Sequence, residues 1–86
     1  MIEFFANEYN EEAWNKYISC FDDVNKHIDG IPQEIVNAVL TVLGDKTGYD
    51  WLHTPLHRLG NKTAIELLKT QRGEWALKAF IMRLPS

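Results

Sequence analysis

The sequence predicts an all-α fold, a single small domain of about five short-to-medium helices. Three observations carry this. Apolar residues recur at steps of three and four along most of the chain, helix-start and helix-stop residues punctuate those stripes, and regular alternation is confined to a strand candidate at residues 2–5. With 86 residues, such a domain buries about 60–65% of the surface its unfolded chain exposes.

The elements follow in order. Over residues 11–28 the side chains of Trp14, Tyr17, Ile18, Phe21, Val24 and Ile28 share one face, which predicts one long amphipathic helix ended by Gly30. Pro32 then suits a first helical position. Ile35, Val36, Val39, Leu40 and Leu43 give the next stripe, closed by Gly44. Asp45 is expected to cap a third helix reaching Leu52, with Gly48 inside it costing up to about 1 kcal/mol relative to alanine. Thr54 and Pro55 restart the chain as cap and first turn, Leu56 and Leu59 point inward, and Gly60-Asn61 breaks the turn. Thr63-Ala64-Ile65-Glu66 is a capping box opening a short helix with Leu67 and Leu68. Thr70 caps a final helix over 71–84, stopped by Pro85. This last helix is apolar on two sides, with Leu77, Phe80, Ile81 and Leu84 on one and Trp75, Ala79 and Met82 on the other. One stripe suffices for a core, so the second is free for a partner or a second subunit.

Charge divides the chain. Residues 1–45 carry two basic and nine acidic groups, 2 − 9 = −7, and residues 46–86 carry seven basic and three acidic groups, 7 − 3 = +4, giving the net −3. Either the halves pack on each other or the basic half meets an acidic partner. No apolar run approaches the roughly 18–20 residues that span a bilayer, nothing at the start reads as a signal peptide, and the lone Cys20 has no partner for an internal disulfide. The chain is read as cytoplasmic, without membrane contact.

The residues that invite a chemical reading have simpler explanations. His53 and His57 stand four apart, as zinc-binding histidines do on a helix, but Pro55 starts a new helix between them and no third ligand follows at a recognisable spacing. Cys20 with His27 would need an oxyanion site that the sequence does not offer. No phosphate loop, paired-carboxylate or serine motif occurs, so neither an enzyme nor a cofactor is expected. Arg58, Lys62, Lys69, Arg72, Lys78 and Arg83 could meet nucleic-acid phosphates, yet they are spread over three elements and the acidic first half opposes them.

Several motifs, in this order, resemble the toxin-binding domain of bacterial Xre/MbcA/ParS-like antitoxins over residues 35–84. They are Leu43-Gly44-Asp45, Trp51-Leu52-x-Thr54-Pro55, Leu59-Gly60, Thr63-x-x-Glu66-Leu67-Leu68-x-Thr70, Gly73, and Arg83-Leu84. Where relatives often have a second glycine and a proline around the capping box, this chain has Asn61 and Ala64. The resemblance implies a toxin-binding module at 35–86, and the residues ahead of it, 1–34, read as an acidic helical segment, the two together one compact domain. It implies an antitoxin that is not itself an enzyme and that binds a cognate toxin, typically a RES-type protein that depletes NAD, by obstructing its active site.

Relatives usually carry a helix-turn-helix DNA reader ahead of this module. Here the preceding residues are acidic and read as one long helix, so DNA binding is not expected through this chain alone. Trp51, Leu52, Thr54, Pro55, Leu59, Gly60, Thr63, Glu66, Leu67, Leu68 and Gly73 are then fold signature residues. The partner is expected on the last helix, with Trp75 and Met82 as apolar anchors among Arg72, Lys78 and Arg83. The alternatives are a small helical DNA-binding or transcription-related protein and a homodimeric adaptor without a toxin.

Overall fold

The computed structural model describes residues 2–84. Six α-helices follow one another: α1 (Ile2–Glu8), α2 (Glu11–Ile18), α3 (Gln33–Leu43), α4 (Asp45–Leu52), α5 (Ala64–Leu67) and α6 (Gln71–Ile81), with a 3₁₀ turn at His57–Leu59 between α4 and α5. No β-strand occurs among the described residues. The all-α expectation therefore holds, and the Cα radius of gyration of 11.8 Å is close to the roughly 12 Å of a compact chain this long.

Local chemistry sets most helix ends as read from the sequence. The Thr63 hydroxyl accepts from the Glu66 amide while the Glu66 carboxylate accepts from the Thr63 amide at 3.0 Å, so the capping box is complete. Thr70 accepts from the Gly73 amide at 3.0 Å and opens α6. Gly60 and Asn61 both take left-handed backbone angles, and the Leu56 amide bonds the Lys62 carbonyl at 2.9 Å, closing the turn between α4 and α5.

Other expectations fail, each for a physical reason. The opening residues form α1 rather than a strand, because Ile2, Phe5, Ala6 and Tyr9 fall on one helical face and meet the core. The predicted helix over 11–28 ends at Ile18. Beyond it, side chains capture the backbone: the Asn25 amide bonds the Asp23 carboxylate at 2.7 Å, and the Val24 amide bonds the Asn37 side chain at 3.1 Å. Such bonds compete with the helix ladder. Phe21, Val24 and Ile28 still pack against the core, but from irregular backbone. Asp45 is not a cap. Gly44 occupies that position, and the Asp45 carboxylate pairs with Lys26 at 3.1 Å. Thr54 donates back to the Asp50 carbonyl at 2.7 Å instead of capping forward, and α6 stops at Ile81, short of Leu84. Pro85 lies outside the described residues.

The core joins all of these elements. Trp14 of α2, Ile35, Val36 and Val39 of α3, Leu52 of α4, Leu59, Leu67 of α5, and Leu77 and Ile81 of α6 are essentially without solvent contact. Trp51 is half-buried and stacks on Phe80, with centroids 6.1 Å apart. Gly73 is required for packing, since a Cβ there would run into the Leu67 carbonyl. Gly48 is required too: its Cβ would come 2.8 Å from Leu40 Cδ2 and 3.0 Å from the Val39 carbonyl oxygen.

Helix propensity alone favours Gly48→Ala by about 1 kcal/mol, whereas forcing an atom into packed space costs about 1–3 kcal/mol. The clash with α3 wins, so Gly48→Ala is expected to lower the thermal midpoint, by about 4–8 °C for each net 1 kcal/mol. A midpoint at or above that of the wild type would show that α3 and α4 can part without cost.

Candidate partner-binding face

The residues expected to meet a partner all lie on α6 or just beyond it, and the structure brings the acidic first half onto them. Arg72 Nε donates to Glu3 Oε2 at 3.2 Å, and its Nη2 donates to Glu3 Oε1 at 2.5 Å and Asn7 Oδ1 at 2.7 Å. This bonding holds the Glu3 carboxyl below its ordinary pKa. Arg83 Nη2 pairs with Glu8 Oε1 at 2.5 Å, and its guanidinium lies over the rings of Phe4 and Phe5. Trp75 stacks nearly flat on Tyr9, with centroids 5.9 Å apart.

Lys78 lies inside the fold rather than on its surface. Only 7% of the residue is exposed. Its ammonium sits 2.7 Å from Glu74 and 3.5 Å from Glu34, and it covers the rings of Tyr9 at 5.8 Å and Trp14 at 5.4 Å. Burial pulls the lysine pKa down, but the hydrogen bond and charge of Glu74, helped by Tyr9 and Glu34, outweigh it and leave the pKa raised. One side chain thus ties α6 to α2, to α3 and to Tyr9 in the connection between α1 and α2. The Tyr17 hydroxyl adds a bond from α2 to the Ile81 carbonyl at 3.4 Å.

The division of charge is thereby used internally, through Glu3–Arg72, Glu8–Arg83 and Glu34–Lys78. What stays open is the seam between α1 and α6. Arg72 and Arg83 keep 44% and 56% of their side chains exposed, while Trp75 and Met82 are half-buried. Two shallow grooves line this seam. One of about 580 Å³ runs past Asn7, Tyr9, Arg72 and Trp75, and one of about 440 Å³ is walled by Glu8, Ala79, Met82 and Arg83.

A family model described as the antitoxin Xre/MbcA/ParS C-terminal toxin-binding domain matches residues 38–84. The chain belongs to this family. Neither a curated protein nor a solved structure matches it. The toxin-binding domain so defined begins within α3 and ends just past α6, so the arginines, Trp75 and Met82 fall inside it. Glu3, Asn7, Glu8 and Tyr9, which contact them, lie ahead of it.

The chemically suggestive residues stand apart. His53 Nδ1 lies 2.8 Å from the Tyr49 carbonyl, and His57 Nδ1 3.3 Å from the Asn61 side chain. Among the described residues no group of three or more His, Cys, Asp or Glu side chains is placed to hold a metal. Cys20 is exposed with its sulfur 3.6 Å from the Lys16 carbonyl, and His27 pairs with Gln33 at 2.6 Å. No helix among the described residues is long and apolar enough to cross a membrane.

Local pattern reading missed the α1 contacts. The available signal was the helical spacing of Glu3 with Asn7 and of Phe4 with Glu8, on either flank of the apolar stripe.

Lys78 holds its proton more tightly folded than unfolded, so its stabilisation is complete below the unfolded lysine value of about 10.4 and is lost as pH rises through the folded one. Tyr9 and Tyr17, raised by burial, act in the same direction. Lys78→Met is expected to destabilise by about 2 kcal/mol near neutral pH and to make the alkaline fall in thermal midpoint shallower. An unchanged alkaline profile would contradict this role for Lys78.

Proposed function

We propose that this chain is an antitoxin that neutralises a RES-type, NAD-depleting toxin in the bacterial cytoplasm by seating the open edge of α6 over the toxin's active-site cleft. It does no chemistry itself. The observation that carries this reading is membership of the toxin-binding family over 38–84, joined to an α6 edge on which the half-buried Trp75 and Met82 lie between the exposed Arg72 and Arg83. Trp75 and Met82 serve as anchors that fill depressions in the partner, and the outer faces of Arg72 and Arg83 form the polar rim. Lys78 supports this edge from beneath, fixing how α6 sits on the rest of the fold.

The test is co-expression of the tagged chain with the product of the neighbouring gene, reading growth, cellular NAD and what co-purifies after nuclease treatment. Relief of toxicity with restored NAD and a stoichiometric protein partner is the expected result. Nucleic acid alone, lost on nuclease treatment, would favour the DNA-binding alternative. Trp75→Ala with Met82→Ala should weaken the toxin complex by about 30-fold or more while the far-ultraviolet circular dichroism stays helical. Unchanged affinity would place the interface elsewhere.

A further inference from the structure

α1 is a separable piece seated in a receptor built by α6. Phe5 and Ala6 are buried beneath it, with Phe5 packed edge-on against Phe80, ring centroids 5.1 Å apart. On one flank Glu3 and Asn7 meet Arg72, and on the other Phe4 and Glu8 meet Arg83. A helix of seven residues falls well below the roughly 12–15 that sustain one in isolation, so α1 is helical because it is docked.

Its connection to α2 consists of Tyr9 and Asn10. Asn10 caps α2 by accepting from the Ala13 amide at 2.9 Å, a bond that does not depend on α1. Residues 2–18 contain neither glycine nor proline. If the Asn10 cap opens, α1 and α2 can run on as one helix about 25 Å long, carrying the Glu3/Phe5/Glu8 face away from its own α6.

We propose that two copies of this chain exchange α1, each copy's Ile2–Glu8 docking on its partner's α6 through the same Glu3–Arg72 and Glu8–Arg83 pairs. The occupant is a second copy because the complementary surface is already present: the segment that fits the receptor is the chain's own, and the Glu3–Arg72, Glu8–Arg83 and Phe5–Phe80 contacts that undocking breaks are remade between copies. A connection of only two residues favours this reciprocal arrangement. Exchange does not depend on whether a toxin binds.

Two full-length charge-reversed chains test it. One carries Glu3→Arg and Glu8→Arg, the other Arg72→Glu and Arg83→Glu, so each alone sets like charges against each other on both flanks of α1. Exchange between the two makes every pair attractive again. Light scattering after size-exclusion should find each variant alone at the 10.0 kDa chain mass and the mixture as a one-to-one species of twice that mass. The wild type should show a dimer fraction that rises with concentration, increased by Asn10→Ala, which lets the helices fuse, and decreased by Asn10→Gly, which keeps a cap but interrupts the fused helix. A mixture that stays at single-chain mass, with both variants folded by circular dichroism, would overturn the proposal. So would a wild type that remains monomeric at the highest concentration reached.

Discussion

The Lys78 ammonium is the point from which the rest of this fold can be understood. A lysine enclosed to this degree must have its charge answered, and two glutamates supply the answer from different places, Glu74 one turn earlier on α6 and Glu34 at the start of α3. The rings of Tyr9 and Trp14 close over it. Removing any one of these elements would leave either a buried cation or an uncovered indole. The acidic first third of the chain is therefore part of the same packing problem as the toxin-binding family segment, and α2 and α3 are held in register with α6 by a largely buried cation.

A hierarchy of contacts follows from where water reaches. Lys78 and the apolar residues around Trp14, Leu77 and Ile81 are withdrawn from solvent, while the Glu34 and Glu74 carboxylates that answer the lysine lie at the edge of the buried region. The Glu3–Arg72 and Glu8–Arg83 pairs are half open to solvent, and exposed pairs of this kind contribute little and weaken with salt. α2 thus belongs to the cooperative core, whereas α1, which buries Phe5 and Ala6 in that core, is fastened at its flanks by interactions that can yield. For a module whose family binds toxins, this leaves the outermost surface of α6 under a short helix that contributes its own charges and aromatic rings to the rim.

How much of this was legible depended on distance along the chain. The Thr63–Glu66 box, the Thr70 cap and the Gly60-Asn61 turn are fixed by groups within four residues of one another, and each could be read directly. The end of α2 could not: the apolar stripe continues through Phe21, Val24 and Ile28, but past Ile18 the backbone is irregular, and an asparagine on α3 takes the Val24 amide. Gly48 read as a weakness in α4 because its reason, the closeness of Leu40 and Val39, is tertiary. Lys78 read as a surface cation because most lysines are. Only the meeting of Tyr9, α2 and α3 with α6 enclosed it. The second apolar stripe of α6 was visible in Trp75, Ala79 and Met82, yet nothing local indicated that a helix some 70 residues earlier would lie across part of it.

Native-state hydrogen exchange would test most directly whether the acidic segment and the toxin-binding segment form one cooperative structure around Lys78. The expected result is that the amides of the second half of α2, Asn15 to Ile18, open with the same free energy as those of Leu77 to Ile81 in α6. If α2 exchanged at a much lower free energy while α3 to α6 stayed protected, the first third of the chain would be an appendage on a self-sufficient module, and Lys78 would not be the joint that unites the fold.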